Sequence, residues 1–558
     1  MNTAPSDPTV ELCDVTCRDG AQAAGITIQT SQKLWIAHMD DRVGVPMTEG
    51  GFPASNPTDR ELFEALRADP LKRATLTAFG MTRRKDTLPD EDKGLRSLLE
   101  SGAPGITLVG KSSRFHVEEI LQTSLKHNLA MIEESFQFLR ERGVRTLLYD
   151  AEHLFDAFKA DPDYAVQTMQ AAIRGGAQRL VLCDTNGGSS PEWVGHVTEE
   201  VRKEFQGLVL GIHPHNDRGL AVANMRAAVA AGVRHVQGTW NGFGERTGNL
   251  DLCQAIPNLY MDGYRTLSEH HLKELTNISE QVALRVRLRR PDGQAFVGKK
   301  AYAHKGGMHA AAVARHPHSY EFLPPETFGN ERYILGSNQS GLSNVRSLLE
   351  RARLLSDDQR KSLIHNKKAQ HRILDDIKSL EADGYTFDHA DATLELVMLN
   401  AIGELDRILR IEEAEVHSNL TPLVGADPFE REKERKPKTK AIVKIGINGD
   451  KAVFLEVAED VGPIGALTET VLQAMARKFE GKAPKISLED YRVEKVPQSE
   501  EGEHAPVIVT VEWKNGDEVF TTTGVSENSI EAGWECVIDA FEYVLQQNRL
   551  ASSLESQS

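Results

Sequence analysis

From Val10 to about Asp262 the chain alternates eight times between a short apolar strand and an amphipathic helix, a pattern few architectures accommodate. The expected strands are Val10–Asp14, Pro46–Gly50, Arg73–Gly80, Gly105–Gly110, Arg145–Ala151, Arg179–Asp184, Leu208–Pro214 and His235–Gly238. Helices are expected between them, for instance over Ser31–Val43, Ala130–Arg142, Pro191–Phe205 and Leu220–Ala231. Several of these helices run into a glycine, as at Gly102, Gly143, Gly176 and Gly232, which fits a left-handed C-cap. Strand–helix alternation implies a parallel sheet. Eight units in about 250 residues is the size of a closed (β/α)₈ barrel. An open doubly wound sheet would need a phosphate fingerprint after its first strand, and Thr16-Cys17-Arg18-Asp19-Gly20 is not one.

At 558 residues the chain is too long for a single core, so the barrel is expected over 8–265 and a lid and helical segment over 266–420. In the latter, 357–384 and 389–412 read as two helices joined by Gly384-Tyr385-Thr386. The charge-rich run Glu430-Arg-Glu-Lys-Glu-Arg-Lys436 marks a linker at 421–437. A last domain, 438–548, carries a weak internal repeat. Val443, Ile445 and Ile447 alternate before Asn448-Gly449-Asp450, and Val507, Val509 and Val511 alternate before Asn515-Gly516-Asp517. Asn-Gly between alternating runs signals a hairpin, and each hairpin precedes a helix (Ile464–Phe479, Ser529–Leu545), so two ββα units packed as one sandwich are expected.

A net charge of −17 disfavours a nucleic-acid surface, and no run approaches the 18 or so apolar residues of a membrane span. The start shows no basic region followed by an apolar run, and the five cysteines form no CxxC pair, which points to reduced thiols in the cytoplasm.

Barrel active sites sit at the C-terminal ends of the strands, and there the polar residues of this chain gather. Asp14, Arg18 and Asp19 follow the first strand, Glu49 ends the second, and Glu152 and His153 follow the fifth. Asp184, Thr185 and Asn186 follow the sixth, His213, His215, Asn216 and Asp217 end the seventh, and Asn241, Glu245, Arg246 and Asn249 follow the eighth. In His213-Pro214-His215 the two histidines share one face of a strand and make a pair of metal ligands, with Asp19 as a possible third. Two hydrogen-bonded rim histidines are the plain alternative. Mixed nitrogen and oxygen ligation suits Mn²⁺, Mg²⁺ or Zn²⁺ and does not choose among them. Arg18 beside such a site is placed to stabilise a developing oxyanion, or forms an ordinary rim ion pair.

These residues, in this order, resemble the acyltransferases of the isopropylmalate, citramalate and homocitrate synthase family. The matching segments are Asp14-Val-Thr-Cys-Arg-Asp-Gly-Ala-Gln22, Glu49-Gly-Gly-Phe-Pro53, Leu182-Cys-Asp-Thr-Asn-Gly187, Gly211-Ile-His-Pro-His-Asn-Asp217, Asn241-Gly-Phe-Gly-Glu-Arg-Thr-Gly-Asn249 and His304-Lys-Gly-Gly-Met-His309. Gly524-Val-Ser-Glu-Asn528 is similar to part of the family's C-terminal regulatory domain. Gly51-Phe-Pro-Ala-Ser-Asn-Pro57, Tyr149-Asp-Ala-Glu-His153, Lys299-Lys-Ala-Tyr-Ala-His-Lys-Gly-Gly307 and Glu381-Ala-Asp-Gly-Tyr385 look like the citramalate branch.

The resemblance implies that Asp19, His213, His215 and Asn249 hold a divalent metal. It implies that Arg18, Gln22 and Thr185 contact a 2-oxo acid, and that Glu152, His309 and Tyr320 relay the proton taken from acetyl-CoA. It further implies pyruvate as the 2-oxo acid, with 2-oxoisovalerate as the alternative. Feedback by isoleucine or leucine at the C-terminal domain and a homodimer complete the expectation. Val15 and Cys17 depart from the family's usual Asp-Thr-Thr-Leu-Arg-Asp, and Cys17 raises the prospect of an oxidation-sensitive site. A lyase of the same superfamily, a biotin-dependent transcarboxylase and a non-catalytic amino-acid sensor are the rival readings. No Ala-Met-Lys-Met biotinylation motif is present.

Overall fold

The computed structural model describes residues 9–304, 307–334, 342–387, 390–419, 438–447, 453–479, 484–496, 505–516 and 518–555. Eight parallel strands close into a barrel in sequential order: β1 (Glu11–Asp14), β2 (Met47–Gly51), β3 (Thr75–Met81), β4 (Gly105–Lys111), β5 (Thr146–Glu152), β6 (Arg179–Asp184), β7 (Val209–Pro214) and β8 (His235–Gly238). Closure comes from β1 pairing with β8, Glu11 opposite His235 and Cys13 opposite Gln237. The starts of the outer helices are written in the sequence. Asn56-Pro57, Asp161-Pro162 and Ser190-Pro191 each place a side-chain acceptor one residue before a proline in the first turn. Such a cap contributes about 1 kcal/mol, and proline there gives up no hydrogen bond. Gly102, Gly143, Gly176 and Gly232 all take positive φ, as the left-handed ends required.

The core has two shells. Ile36, Leu62, Leu95, Phe136, Val197 and Met225 belong to the layer that joins helices to strands. A smaller cluster of Cys13, Val15, Met47, Leu148, Val181 and Cys183 forms separately. Residues 1–302 and 323–331 make up one compact unit, and 303–322 with 332–558 a second.

In the second unit the reading of 389–412 as one helix fails. The helix runs over Asp391–Ile402 and stops at Gly403, with φ 77°. Residues Leu409–Asn419 (β11, after the two-residue strands β9, Ala303–His304, and β10, Tyr333–Ile334) are a strand instead. β11 pairs antiparallel with β12 (Lys438–Ile447), which pairs with β13 (Val453–Asp460). The first span, 357–384, is two helices, Asp357–His365 and Lys367–Ala382, divided at Asn366, whose side chain caps the second.

A second three-stranded sheet follows, β14 (Ile486–Lys495), β15 (Val507–Asn515) and β16 (Glu518–Ser526). Each sheet is followed by a helix, Pro463–Lys478 and Ser529–Glu555. The expected ββα repeat is therefore βββα. The charged run 421–437 and the first Asn-Gly turn, 448–449, lie outside the described residues. One core joins this unit, from Val345 and Ile373 through Leu394 to Val443, Trp513 and Phe541.

Candidate active site

Three loops at the C-terminal ends of β1, β7 and β8 bring the polar residues together. Buried hydrogen bonds set the first and third. Asp14 Oδ1 accepts from the Thr16 backbone N–H at 3.0 Å and from its hydroxyl, whose oxygen accepts from Trp240 N at 2.9 Å. Trp240 Nε1 in turn donates to Asp40 Oδ1 at 2.9 Å. The loop that carries Arg18 and Asp19 is thus tied to the loop that carries Asn249. Asp14 and Asp40 are both fully buried, and burial pushes both carboxyls up, Asp14 to about 6 and Asp40 well above the usual range.

Asp19, His213 and His215 are buried, and one ligand atom from each lies within 4.8 Å of the other two. Asn249 completes the group. Its Nδ2 donates to Asp19 Oδ1 at 2.8 Å, and its Oδ1 faces His213 Nε2 at 3.1 Å. Asp19 Oδ2 lies 3.6 Å from the same nitrogen. The far nitrogen of His213, Nδ1, meets Gln237 Oε1 at 2.7 Å. Since Gln237 Oε1 only accepts, Nδ1 carries the hydrogen and Nε2 carries a lone pair. Three lone-pair atoms, His213 Nε2, Asn249 Oδ1 and Asp19 Oδ2, therefore face one another, an arrangement that a cation satisfies.

His215 Nδ1 is buried with no hydrogen-bond partner among the described residues. Burial, with repulsion from His213, lowers the His215 pKa to about 3, so the ring is the neutral imidazole that metals bind. Burial raises the Asp19 pKa, but the Arg18 guanidinium outweighs it and holds the carboxylate ionised. The donor set fits a divalent cation. Gly244 is part of the fit. A Cβ there would fall 2.1 Å from Asn249 Nδ2 and 3.3 Å from Asp19 Oδ1.

Arg18 lies beside this group, its Nη1 on Asp19 and its Nε on Glu49, with the guanidinium stacked 4.0 Å over Phe79. Glu49 and Asp19 hold it charged against the penalty of burial. Asp150, near the same charges, goes the other way: burial and Glu49 raise its pKa to about 8. Glu152 ends β5 in an ion pair with Lys111. Thr185, after β6, accepts from His153 N at 2.8 Å with its hydroxyl and from Arg246 Nη2 with its carbonyl. Gln22 is exposed, at the end of the short turn Gly20–Gln22 that follows Asp19. His309 and Tyr320 belong to the second unit, where their rings stack at 4.1 Å.

Cys17 corrects one expectation. Fully buried, with its thiol pushed up by burial and Sγ turned to Lys33 O, it is protected and not poised for oxidation. All five cysteines are free and buried. Sequence reasoning missed Gln237 and Asp150. The available signal was alternation, which turns Gln237 to the same side of β8 as His235.

Residues 9–282 match the HMGL-like family, 296–373 the homocitrate synthase post-HMGL domain-like family, and 390–545 the LeuA allosteric (dimerisation) domain. An (R)-citramalate synthase from Synechocystis sp. is 42% identical over 96% of this chain and 96% of its own. The chain belongs to the (R)-citramalate synthase family. It is an acyltransferase-type enzyme. A second family member, from Geobacter sulfurreducens, is 37% identical over 97% of this chain and 98% of its own. A 2-isopropylmalate synthase from Methanocaldococcus jannaschii is more distant, 28% identical over 96% of this chain and 95% of its own. Among the described residues no helix is long and apolar enough to cross a membrane.

Proposed function

We propose that this enzyme condenses acetyl-CoA with pyruvate and hydrolyses the thioester to give citramalate and CoA, in the cytoplasm, as a homodimer under feedback by isoleucine. The observation that carries the reading is the convergence of Asp19, His213, His215 and Asn249 beside a charged Arg18. A divalent metal, Mn²⁺, Mg²⁺ or Zn²⁺, supplies Lewis acidity toward the 2-oxo acid when bound there. Arg18 stabilises the negative oxygen that develops on the ketone as the new carbon–carbon bond forms. Thr185 and Gln22 bind the substrate carboxylate end.

By the family resemblance Glu152, His309 and Tyr320 are the residues expected to take up the proton lost by the methyl group of acetyl-CoA, and a base that does so must come within about 3 Å of it. The resulting enolate carbon attacks the ketone carbon. Water then cleaves the thioester, CoA leaves as the thiol, and the acid product retains the added carbons. Hydrolysis makes the sequence effectively irreversible in the forward direction, and the match of residues 390–545 to the LeuA allosteric (dimerisation) domain disfavours the lyase reading. The buried and complete ligand set disfavours a sensor on a dead barrel.

Pyruvate is favoured over 2-oxoisovalerate because similarity to citramalate synthases is higher end to end than similarity to a 2-isopropylmalate synthase. The test is a panel of 2-oxo acids with acetyl-CoA, following thiol release. A pocket closed around a methyl rejects a branched chain by clash, so kcat/KM for pyruvate is expected at least about tenfold above that for 2-oxoisovalerate. The opposite order would move the enzyme to the isopropylmalate branch.

A further inference from the structure

A continuous file of polar side chains runs up the inside of the barrel, from its closed end to His213. It begins at the N-terminal ends of the strands with Glu11, the first residue of β1, and Arg179, the first of β6. Arg179 Nε donates to Glu11 Oε2 at 3.0 Å and Nη2 to Oε1 at 2.9 Å. Glu11 Oε2 also meets His235 Nδ1 at 2.8 Å. His235 Nε2 faces Gln237 Nε2 at 3.4 Å, and Gln237 Oε1 meets His213 Nδ1 at 2.7 Å. His235 and Gln237 are fully buried. The ring of His235 lies across β7 because residue 211 is glycine; a Cβ there would stand 2.8 Å from His235 Cδ2.

Each link fixes the direction of the next. Arg179 only donates, so Glu11 accepts on both oxygens. Burial raises the Glu11 pKa, but His235 and Arg179 outweigh it and bring it to about 2, so it stays an acceptor. His235 then carries a hydrogen on Nδ1, and its Nε2 accepts from the amide nitrogen of Gln237 that it faces. A lone pair there draws the amide nitrogen of Gln237, whose second hydrogen reaches toward Asp150 Oδ1 at 3.4 Å. The amide oxygen is left facing His213, which must hold its hydrogen on Nδ1. The only lone pair of His213 then points from Nε2 toward Asp19 and Asn249. A metal-bound histidine ordinarily has a partner on its other nitrogen, and here that partner is itself held by His235 and Asp150.

We infer that Gln237 is a positioning residue for the metal centre, and that the file Arg179–Glu11–His235–Gln237 sets the tautomer of His213. The inference rests on the metal reading of Asp19, His213 and His215.

The test uses the full chain, stripped with chelator and titrated with Mn²⁺, reading free Mn²⁺ by electron paramagnetic resonance. Gln237→Met keeps the length and removes its hydrogen bonds to His213, His235 and Asp150. Gln237→Glu keeps an acceptor toward His213, and Glu11→Gln loosens the file at its far end. Wild type is expected to bind Mn²⁺ and His213→Ala to lose it. Binding unchanged in His213→Ala would remove the metal reading itself, separately from the role of Gln237. Gln237→Met is expected to weaken Mn²⁺ about 10–100-fold with native circular dichroism. Glu11→Gln should weaken it less, and Gln237→Glu should stay within about threefold of wild type. Should Gln237→Met fail to fold, Gln237→Glu and Glu11→Gln decide. The inference is overturned if Glu11→Gln leaves Mn²⁺ affinity unchanged, if Gln237→Glu binds as poorly as a variant without an acceptor, or if Gln237→Met lowers the melting temperature but not the affinity.

Discussion

Arg18 meets the proposed ligand Asp19, the buried Glu49 and the face of Phe79 together. A planar fork makes those contacts at once, and a lysine ammonium is a point charge that does not. Arg18→Lys is therefore expected to fold normally and to lose about 100-fold in turnover, read as CoA release, the size of effect seen when one oxyanion donor is removed. Activity within twofold of wild type would reduce Arg18 to a rim ion pair. His215→Ala is expected to lose nearly all turnover with unchanged circular dichroism, and chelator to abolish wild-type activity that Mn²⁺ or Mg²⁺ then restores. Full activity in that variant would make His213-Pro214-His215 structural. These residues were legible in the sequence because HxH on a strand puts two rings on one face, and because Arg-Asp and Asn249 fall at strand ends. Gln237 was not legible. A lone amide in a four-residue strand carries no motif, and its role exists only because β7 and β8 are neighbours.

Among elements, the barrel strands were readable within a residue or two, since each is a compact apolar run bounded by helix caps. Two of the strands that were missed, β11 and β14, share a physical cause. Each lies at the edge of its sheet, and each contains a bulge, between Ile411 and Glu413 and between Leu488 and Asp490. A bulge shifts the alternation by one residue, and an edge strand buries little, so the period-two signal is lost. In β11 the run Glu412-Glu413-Ala414-Glu415 is wholly exposed and reads as readily as helix.

Burial also hides chemistry in the contact between β1 and the helix Thr30–Val43, where Asp14 and Asp40 each keep one carboxyl oxygen without a hydrogen-bond donor among the described residues. Both pKa values are raised by burial, so the folded protein holds a proton that the unfolded chain releases above about pH 4. Stability from that proton is present below pH 4 and is lost as pH rises through about 6 and beyond. The melting temperature is expected to fall between pH 5 and pH 8. In Asp40→Asn, whose amide donates to Asp14 without titrating, the slope should flatten by about 3 °C, the effect of roughly 1 kcal/mol in a domain of this size. Equal slopes in the two proteins would show that the pair is ionised at neutral pH.

At the scale of the whole chain, the C-terminal unit decides how regulation can be tested. The charged run at 421–437 suggested a clean cut between a catalytic part and a sensor. Pairing of β11 with β12 contradicts that, because strands on both sides of the run belong to one sheet. Buried groups tie the two sides further. Glu542, fully buried, accepts from the backbone of Ile408 and Leu409, and Thr393 donates to Asp539. Ile373, Leu394 and Leu399 share a core with Val443, Trp513 and Phe541. A chain ended near Leu420 would leave β11 without its partner strand and expose that apolar surface, and unpaired edges with apolar faces associate. It is expected to bind a hydrophobic dye and to aggregate, so its loss of inhibition would say nothing of a sensor. Feedback is therefore to be read on the intact chain. The match of 390–545 to the LeuA allosteric (dimerisation) domain motivates it. An effector shifts an equilibrium only by its differential affinity for two arrangements, and the usual coupling of about 1–3 kcal/mol corresponds to a roughly 5–150-fold change in ligand affinity. Isoleucine at millimolar concentration is expected to lower citramalate formation several-fold in the full-length protein, with leucine weaker and valine weakest. If none of the three alters turnover, while light scattering still reports a dimer, the C-terminal unit is a dimerisation module without a sensing role.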